Sequence, residues 1–161
     1  MAITFSLEEY SDASTVDQAV AAIKYGSTTS ATAGAAITAG NRSFVKNHKC
    51  KFTNGSGDPA ATISALTIDR TDSVTLDNAT IRLGVATGFT TRNANLLDAT
   101  GGATDFTTSS GLISIGAPSG SIAGGANASS TDFVKTQIVT TASSTAGASG
   151  ITYTFQYTVT S

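Results

Sequence analysis

In the stretch Ile151-Thr-Tyr-Thr-Phe-Gln-Tyr-Thr-Val-Thr160, every aromatic or large aliphatic side chain falls on an odd number and every Thr or Gln on an even one. Successive strand side chains point to opposite faces, so the stretch makes one apolar face and one watered face. Its β-branched and aromatic residues suit a pleated, half-buried surface. Gly147 and Gly150 interrupt the chain just before it. A strand this regular so close to a chain end is tied into a sheet, and one buried side points to antiparallel pairing.

The same period recurs upstream. Phe44, Lys46, His48, Cys50 and Phe52 share one parity, while Val45, Asn47, Lys49 and Lys51 share the other, which predicts a strand with a basic outer face. Asn54-Gly55-Ser56-Gly57-Asp58-Pro59 is a loop, and a second strand is expected over 62–69. Its apolar parity slips between Ile63 and Leu66, the mark of a bulge or a late strand start. Val74 and Leu76 are even, whereas Ile81, Leu83 and Val85 are odd, so a two-residue hairpin loop at Asp77-Asn78 is expected, with one bulged strand as the alternative. Further strands are expected at 112–115 and 133–141.

The first forty residues read differently. Ser14-Thr15-Val16-Asp17 resembles a capping box, and Val16, Val20 and Ile23 recur at helical spacing among alanines, so a short helix is expected from about Thr15 to Tyr25. Residues 26–40 are Ser, Thr, Ala and Gly with Ile37 as the single large apolar residue, which predicts an extended arm ordered only by lying on another surface. The expected chain is all-β and mainly antiparallel. It has a short N-terminal helix and extended arm in 1–40, then a β-sandwich or jelly-roll-like domain in 41–161.

Composition narrows the function classes. Thr and Ser supply 28 and 20 of the 161 residues and charged residues only 12%, unlike the charge-rich composition of disordered chains. A chain of this length buries roughly 70% of its unfolded surface, enough for a core. The net charge of −2 argues against a nucleic-acid partner, and no apolar run approaches the ~20 residues of a membrane helix. The N-terminus lacks the basic and apolar regions of a secretory signal, so cytoplasmic synthesis is expected. Cys50 is the only cysteine, which excludes an internal disulfide and a four-cysteine metal site.

Signals for chemistry are sparse. His48 and Cys50 lie two residues apart on one strand face, where side chains stay roughly 6–7 Å apart, so a small hydrophobe and an amphipathic ring at the core's edge is the favoured reading over an activated thiolate. Asp69, Asp72 and Asp77, and Asp98 with Asp105, match no calcium-loop spacing and read as turn and strand-end residues. No glycine pair precedes a Lys-Ser/Thr phosphate cradle. No catalytic, cofactor-binding or metal-ligating residue is therefore assigned, and an enzyme is not expected. The charges are segregated: Glu8, Glu9, Asp12 and Asp17 stand without Lys or Arg in 1–20, and Arg42, Lys46, Lys49 and Lys51 without an acid in 42–51. They read as solvated faces, as local pairs, or as contacts between subunits that fix register.

In its Met-Ala-Ile start, its Ser/Thr/Ala/Gly loops, the segment Asn41-Arg-Ser-Phe-Val-Lys-Asn-His-Lys-Cys-Lys-Phe-Thr53 and the ending from Ile151, the chain resembles accessory structural proteins of tailed-phage virions, above all capsid decoration (cement) proteins. That resemblance implies a β-rich module on the capsid exterior that clamps the major capsid protein lattice, often as a homotrimer, with no catalytic residues. A tail, neck or fibre-attachment component is the near alternative. A carbohydrate-binding or adhesin sandwich is the distant one, weakened by the absence of Trp, with Phe89 and Phe106 left to stack on sugar.

Overall fold

Alternating stretches become strands wherever one parity can be buried, and the computed structural model bears this out for residues 2–32, 35–72, 74, 76–91, 103–106 (backbone), 112–145 and 150–161, the residues described. Their strands are β1 (Ile3–Tyr10), β2 (Val16–Ala19), β3 (Lys46–Asn54), β4 (Ala61–Arg70), β5 (Ala79–Ala86), β6 (Ala103–Phe106), β7 (Ile113–Ser114), β8 (Ser121–Ile122), β9 (Asn127–Ser129), β10 (Phe133–Thr140) and β11 (Tyr153–Thr160). All pairings are antiparallel. One sheet runs β2-β1-β3-β10-β5-β6, with β9 also on β3; the second runs β11-β4-β7, with β8 also on β4.

The inward parity of both sheets meets in one core. Cys50, Phe52, Leu83 and Val134 of the first sheet face Ile63, Leu66 and Ile68 of the second, with Ile115 and Ile122 completing the cluster. Tyr153, Phe155, Tyr157 and Val159 pack against it, as the alternation of β11 requires. Phe5 is the hinge of this packing, its ring 5.2 Å from Phe155 and 5.5 Å from Phe52.

The parity slip in β4 is a bulge. Ser64 pairs with Thr158 and Thr67 with Gln156, so Ala65 and Leu66 together oppose Tyr157. Ala65 takes the left-handed conformation, φ 49°, that a bulge of this kind normally gives to glycine. Ala65→Gly is therefore expected to be neutral or to raise stability by up to about 1 kcal/mol, because it relieves a Cβ penalty of about 1–2 kcal/mol. Ser64→Gly beside it should cost about 0.5–1 kcal/mol, as glycine does inside a strand. Urea denaturation of the two variants checks the contrast.

Two expectations are corrected. No helix forms among the described residues near Thr15–Tyr25; Val16–Ala19 is strand β2, paired to β1 with Glu8 opposite Ala19 and Glu9 opposite Gln18. The Ser14-Thr15 signal belongs to a turn, since Asp12 Oδ1 accepts from the Ser14 and Thr15 N–H groups, each at 2.8 Å. Nor do the described residues form the Asp77-Asn78 hairpin: Val74 and Leu76 lie outside any strand, and Asn78, φ 50°, leads directly into β5. Asn78 is held from the far end of the neighbouring strand, where Thr141 N–H donates to its carbonyl at 3.0 Å.

The N-terminal segment and the later strands share a sheet, because β1 pairs with β3 from Ile3 opposite Asn54 to Glu9 opposite His48. The described part of 20–40 folds over this chain's own strands. Val20 N–H donates to Leu7 O (2.8 Å), Gly40 N–H to Thr141 O (2.9 Å) and Ala35 N–H to Gly26 O (3.1 Å). A Cβ at position 26 would sit 1.7 Å from Ala35 O, so only glycine permits that backbone approach.

Candidate functional site

The inward parity that is apolar in mid-sheet turns polar toward one end. On β1, β3 and β10, Leu7 lies opposite Cys50, then Glu9 opposite His48, and Thr136 opposite Lys46. Glu9, His48 and Lys46 are no more than 1% exposed. Lys46 Nζ donates to Glu9 Oε1 at 3.1 Å, and Ser30 N–H, from the segment that covers this end, donates to Glu9 Oε2 at 2.8 Å. Burial alone would raise the Glu9 pKa, but the hydrogen bonds from Ser30 and the ammonium of Lys46 outweigh it and hold the carboxyl below its ordinary value.

His48 is the least satisfied member. Neither ring nitrogen has a hydrogen-bond partner, the Val134 backbone approaching the ring without reaching bonding geometry. Burial pushes its pKa down to about 4; Glu9 pulls it up, and Lys46 pushes it down further. The imidazole is therefore neutral at pH 7. Burial raises the Cys50 thiol to about 12, so it keeps its proton and lacks the thiolate that a Cys–His pair would need.

The structure places the eight segregated charges as follows. Glu8 and Glu9 pair with Lys51 (2.8 Å) and Lys46 (3.1 Å) across the β1–β3 register, inside one chain. Lys49 stands over the Phe133 ring at 4.6 Å, on an outer-face aromatic row of Tyr10, Phe133 and Phe89. Asp12 shapes the β1–β2 turn, and the Ser14 and Thr15 hydrogen bonds it accepts draw its pKa to about 2. Asp17 is exposed on β2, and Arg42 is exposed where the backbone bridges to Val139 of β10. The basic outer face of β3 thus keeps Lys49 and Lys51, while Lys46 turns inward.

A second buried pair was not foreseen. The Arg70 side chain is fully buried and donates Nε–H to both oxygens of Asp72 at 3.1 Å, and a terminal N–H at 2.6 Å. Asp72 also accepts from Thr152 N–H (2.7 Å) and Val74 N–H (2.9 Å), tying the end of β4 to the approach to β11. Its carboxyl is held far below the usual carboxylate range, chiefly by Arg70. The Asp69-Asp72-Asp77 run carried a hint, but only the fold shows that Asp72 serves an arginine. Among the described residues no three metal-ligating side chains converge. Asp98 lies outside the described residues, and Asp105 and Phe106 are described by backbone alone. Phe89 packs edge-on against Phe133, ring centroids 5.8 Å apart.

The remaining feature is an open side. Among the described residues, β11 ends its sheet with one edge unpaired. A groove of about 1130 Å³ runs beside its first half, lined by Phe5, Leu7, Val20, Ile23, Tyr153 and Phe155 among others. Tyr25 closes one part of it, its hydroxyl 3.0 Å from that of Tyr153. The outward face here is rich in hydroxyls: Thr62 and Ser64 of β4, and Gln156, Thr158 and Thr160 of β11, are exposed, and half-buried Asp69, opposite Thr154, is the charged residue that β4 contributes to it. No family model, curated protein or solved structure matches this chain.

Proposed function

We propose that this chain is a virion structural protein, a β-sandwich-like capsid decoration module that binds the major capsid protein lattice from outside and stabilises the shell. The observation that supports it is where the polar chemistry resides. Glu8, Glu9 and Asp72 are engaged in ion pairs inside the chain and Asp12 in a turn, while β4 and β11 offer solvent a hydroxyl-rich face whose one charge, Asp69, is half-buried. Such a face suits docking onto a broad protein surface, with orientation supplied by many weak contacts. Copies on a lattice gain further from multivalency, since binding of one module raises the effective concentration for linked ones. The test is direct. Purified protein added to tailed-phage capsid shells that lack it should co-sediment at saturable stoichiometry and raise the temperature at which they rupture. Failure to sediment with shells overturns the reading. Recovery with tails from disrupted virions would move the protein to the tail or neck.

A further inference from the structure

We infer that β11 is the edge on which a second copy of this chain pairs, antiparallel about a two-fold axis through Gln156, fusing two four-stranded sheets into one. The inference concerns the chain's association with itself and stands whether or not a shell is its partner. Its first ground is the lack of protection. Natural edges are blunted by charge, proline, bulges or shortness. Among the described residues, the other sheet ends are short: β2 has four residues and carries Asp17, β6 has four and carries Asp105, and β7 has two. β11 has eight residues without a charge or a proline, and the bulge in its pairing lies on β4.

The second ground is phase. Thr152 O accepts from Thr71 N–H at 3.1 Å, which directs the backbone groups of even-numbered residues toward β4. Those of Tyr153, Phe155, Tyr157 and Val159 then point to the free edge. An axis through Gln156 sets Phe155 opposite the second copy's Tyr157, and Tyr153 opposite its Val159. All are outward-bonding residues, so each such pair exchanges two hydrogen bonds. The same register keeps apolar side chains on one face and hydroxyls on the other, and brings no charge against a like charge. The third ground is the groove. The arriving Tyr157 and Val159 lie beside Phe155 and Tyr153, on the side where Phe5, Leu7 and Ile23 line an unfilled space.

The register makes a selective test. At the axis, Gln156 faces its own mate as a non-hydrogen-bonded pair with Cα atoms about 4.5 Å apart, within the ~4.4–6.8 Å span of a disulfide. Thr158 faces Thr154 of the mate and lies roughly 14 Å along the strand from its own counterpart. Sedimentation of the wild type should give twice the 16.1 kDa chain mass. Under mild oxidation Gln156→Cys should cross-link to a covalent dimer, Thr158→Cys alone should not, and Thr158→Cys mixed with Thr154→Cys should. Buried Cys50 gives no background. Gln156→Lys, at an exposed position, should shift the mass toward monomer with an unchanged circular dichroism spectrum. A wild-type monomer or trimer mass at 100 μM, or equal cross-linking of Gln156→Cys and Thr158→Cys, overturns the inference.

Discussion

Glu9→Ala is expected to destabilise the fold by about 3–5 kcal/mol, the cost of leaving a buried charge without its partner. Lys46 has a side-chain exposure of 0% and is paired with Glu9 at 3.1 Å, so it cannot regain water without opening the cover over this end of the core. The Ser30 N–H loses its acceptor in the same variant, which loosens the segment that forms the cover. Glu9→Gln keeps an acceptor for Ser30 and should fall between wild type and alanine. The double replacement Glu9→Leu with Lys46→Met removes both charges at similar volume, and is expected to return to within about 1 kcal/mol of wild type or exceed it. Urea denaturation of the four proteins measures the cycle. Unchanged m-values would place the effect in the native state, and a loss under about 1 kcal/mol for Glu9→Ala would mean that water reaches the pair.

How much of this was visible in the chain follows from what period-two patterns encode. The alternation of β11 and β3 and the slip at Ile63 were legible because each residue's parity alone decides which way it faces. The pairing of an acidic strand with a basic one was half legible. Charge segregation set Glu8, Glu9, Asp12 and Asp17 against Arg42, Lys46, Lys49 and Lys51 without saying which of them meet, and only register decides that Glu8 meets Lys51 outside while Glu9 meets Lys46 inside. The helix was misread because Val16, Val20 and Ile23 fit a 3.6 period about as well as alanine-rich segments by chance do. An isolated helix of that length is marginal, whereas the Asp12 turn presents β2 to the waiting backbone of β1. Asp12, Ser14 and Thr15 satisfy backbone N–H groups in turns and helix caps alike, so their presence does not choose between the two. Arg70–Asp72 was illegible for another reason: its energetic weight comes from burial, which sequence spacing does not report.

Acidification from pH 6.5 to pH 4 is expected to remove about 3 kcal/mol of stability through His48 alone. Its pKa is about 4 in the folded chain and about 6.5 when unfolded. Between those values the unfolded state binds the proton and the native state does not, so stability rises with pH across the window and is complete above it. The gap of about 2.5 units corresponds to that loss at 1.36 kcal/mol per unit. The direction follows from geometry: the ring is fully buried, and against that burial an imidazolium would have only the Val134 backbone beside it and Glu9, whose carboxylate is already engaged by Lys46 and Ser30. His48→Gln cannot take up this proton, so its stability should stay flat from pH 6.5 down to about pH 5, whatever its absolute level. Both proteins should weaken from about pH 5 downward, where Glu9 and Asp72, each held below its ordinary value, take up protons on unfolding. Thermal melts from pH 3 to pH 8 separate the windows. Parallel curves for the two proteins between pH 4 and pH 6.5 would show that His48 reaches water in the folded state, and that the polar end of the core is open.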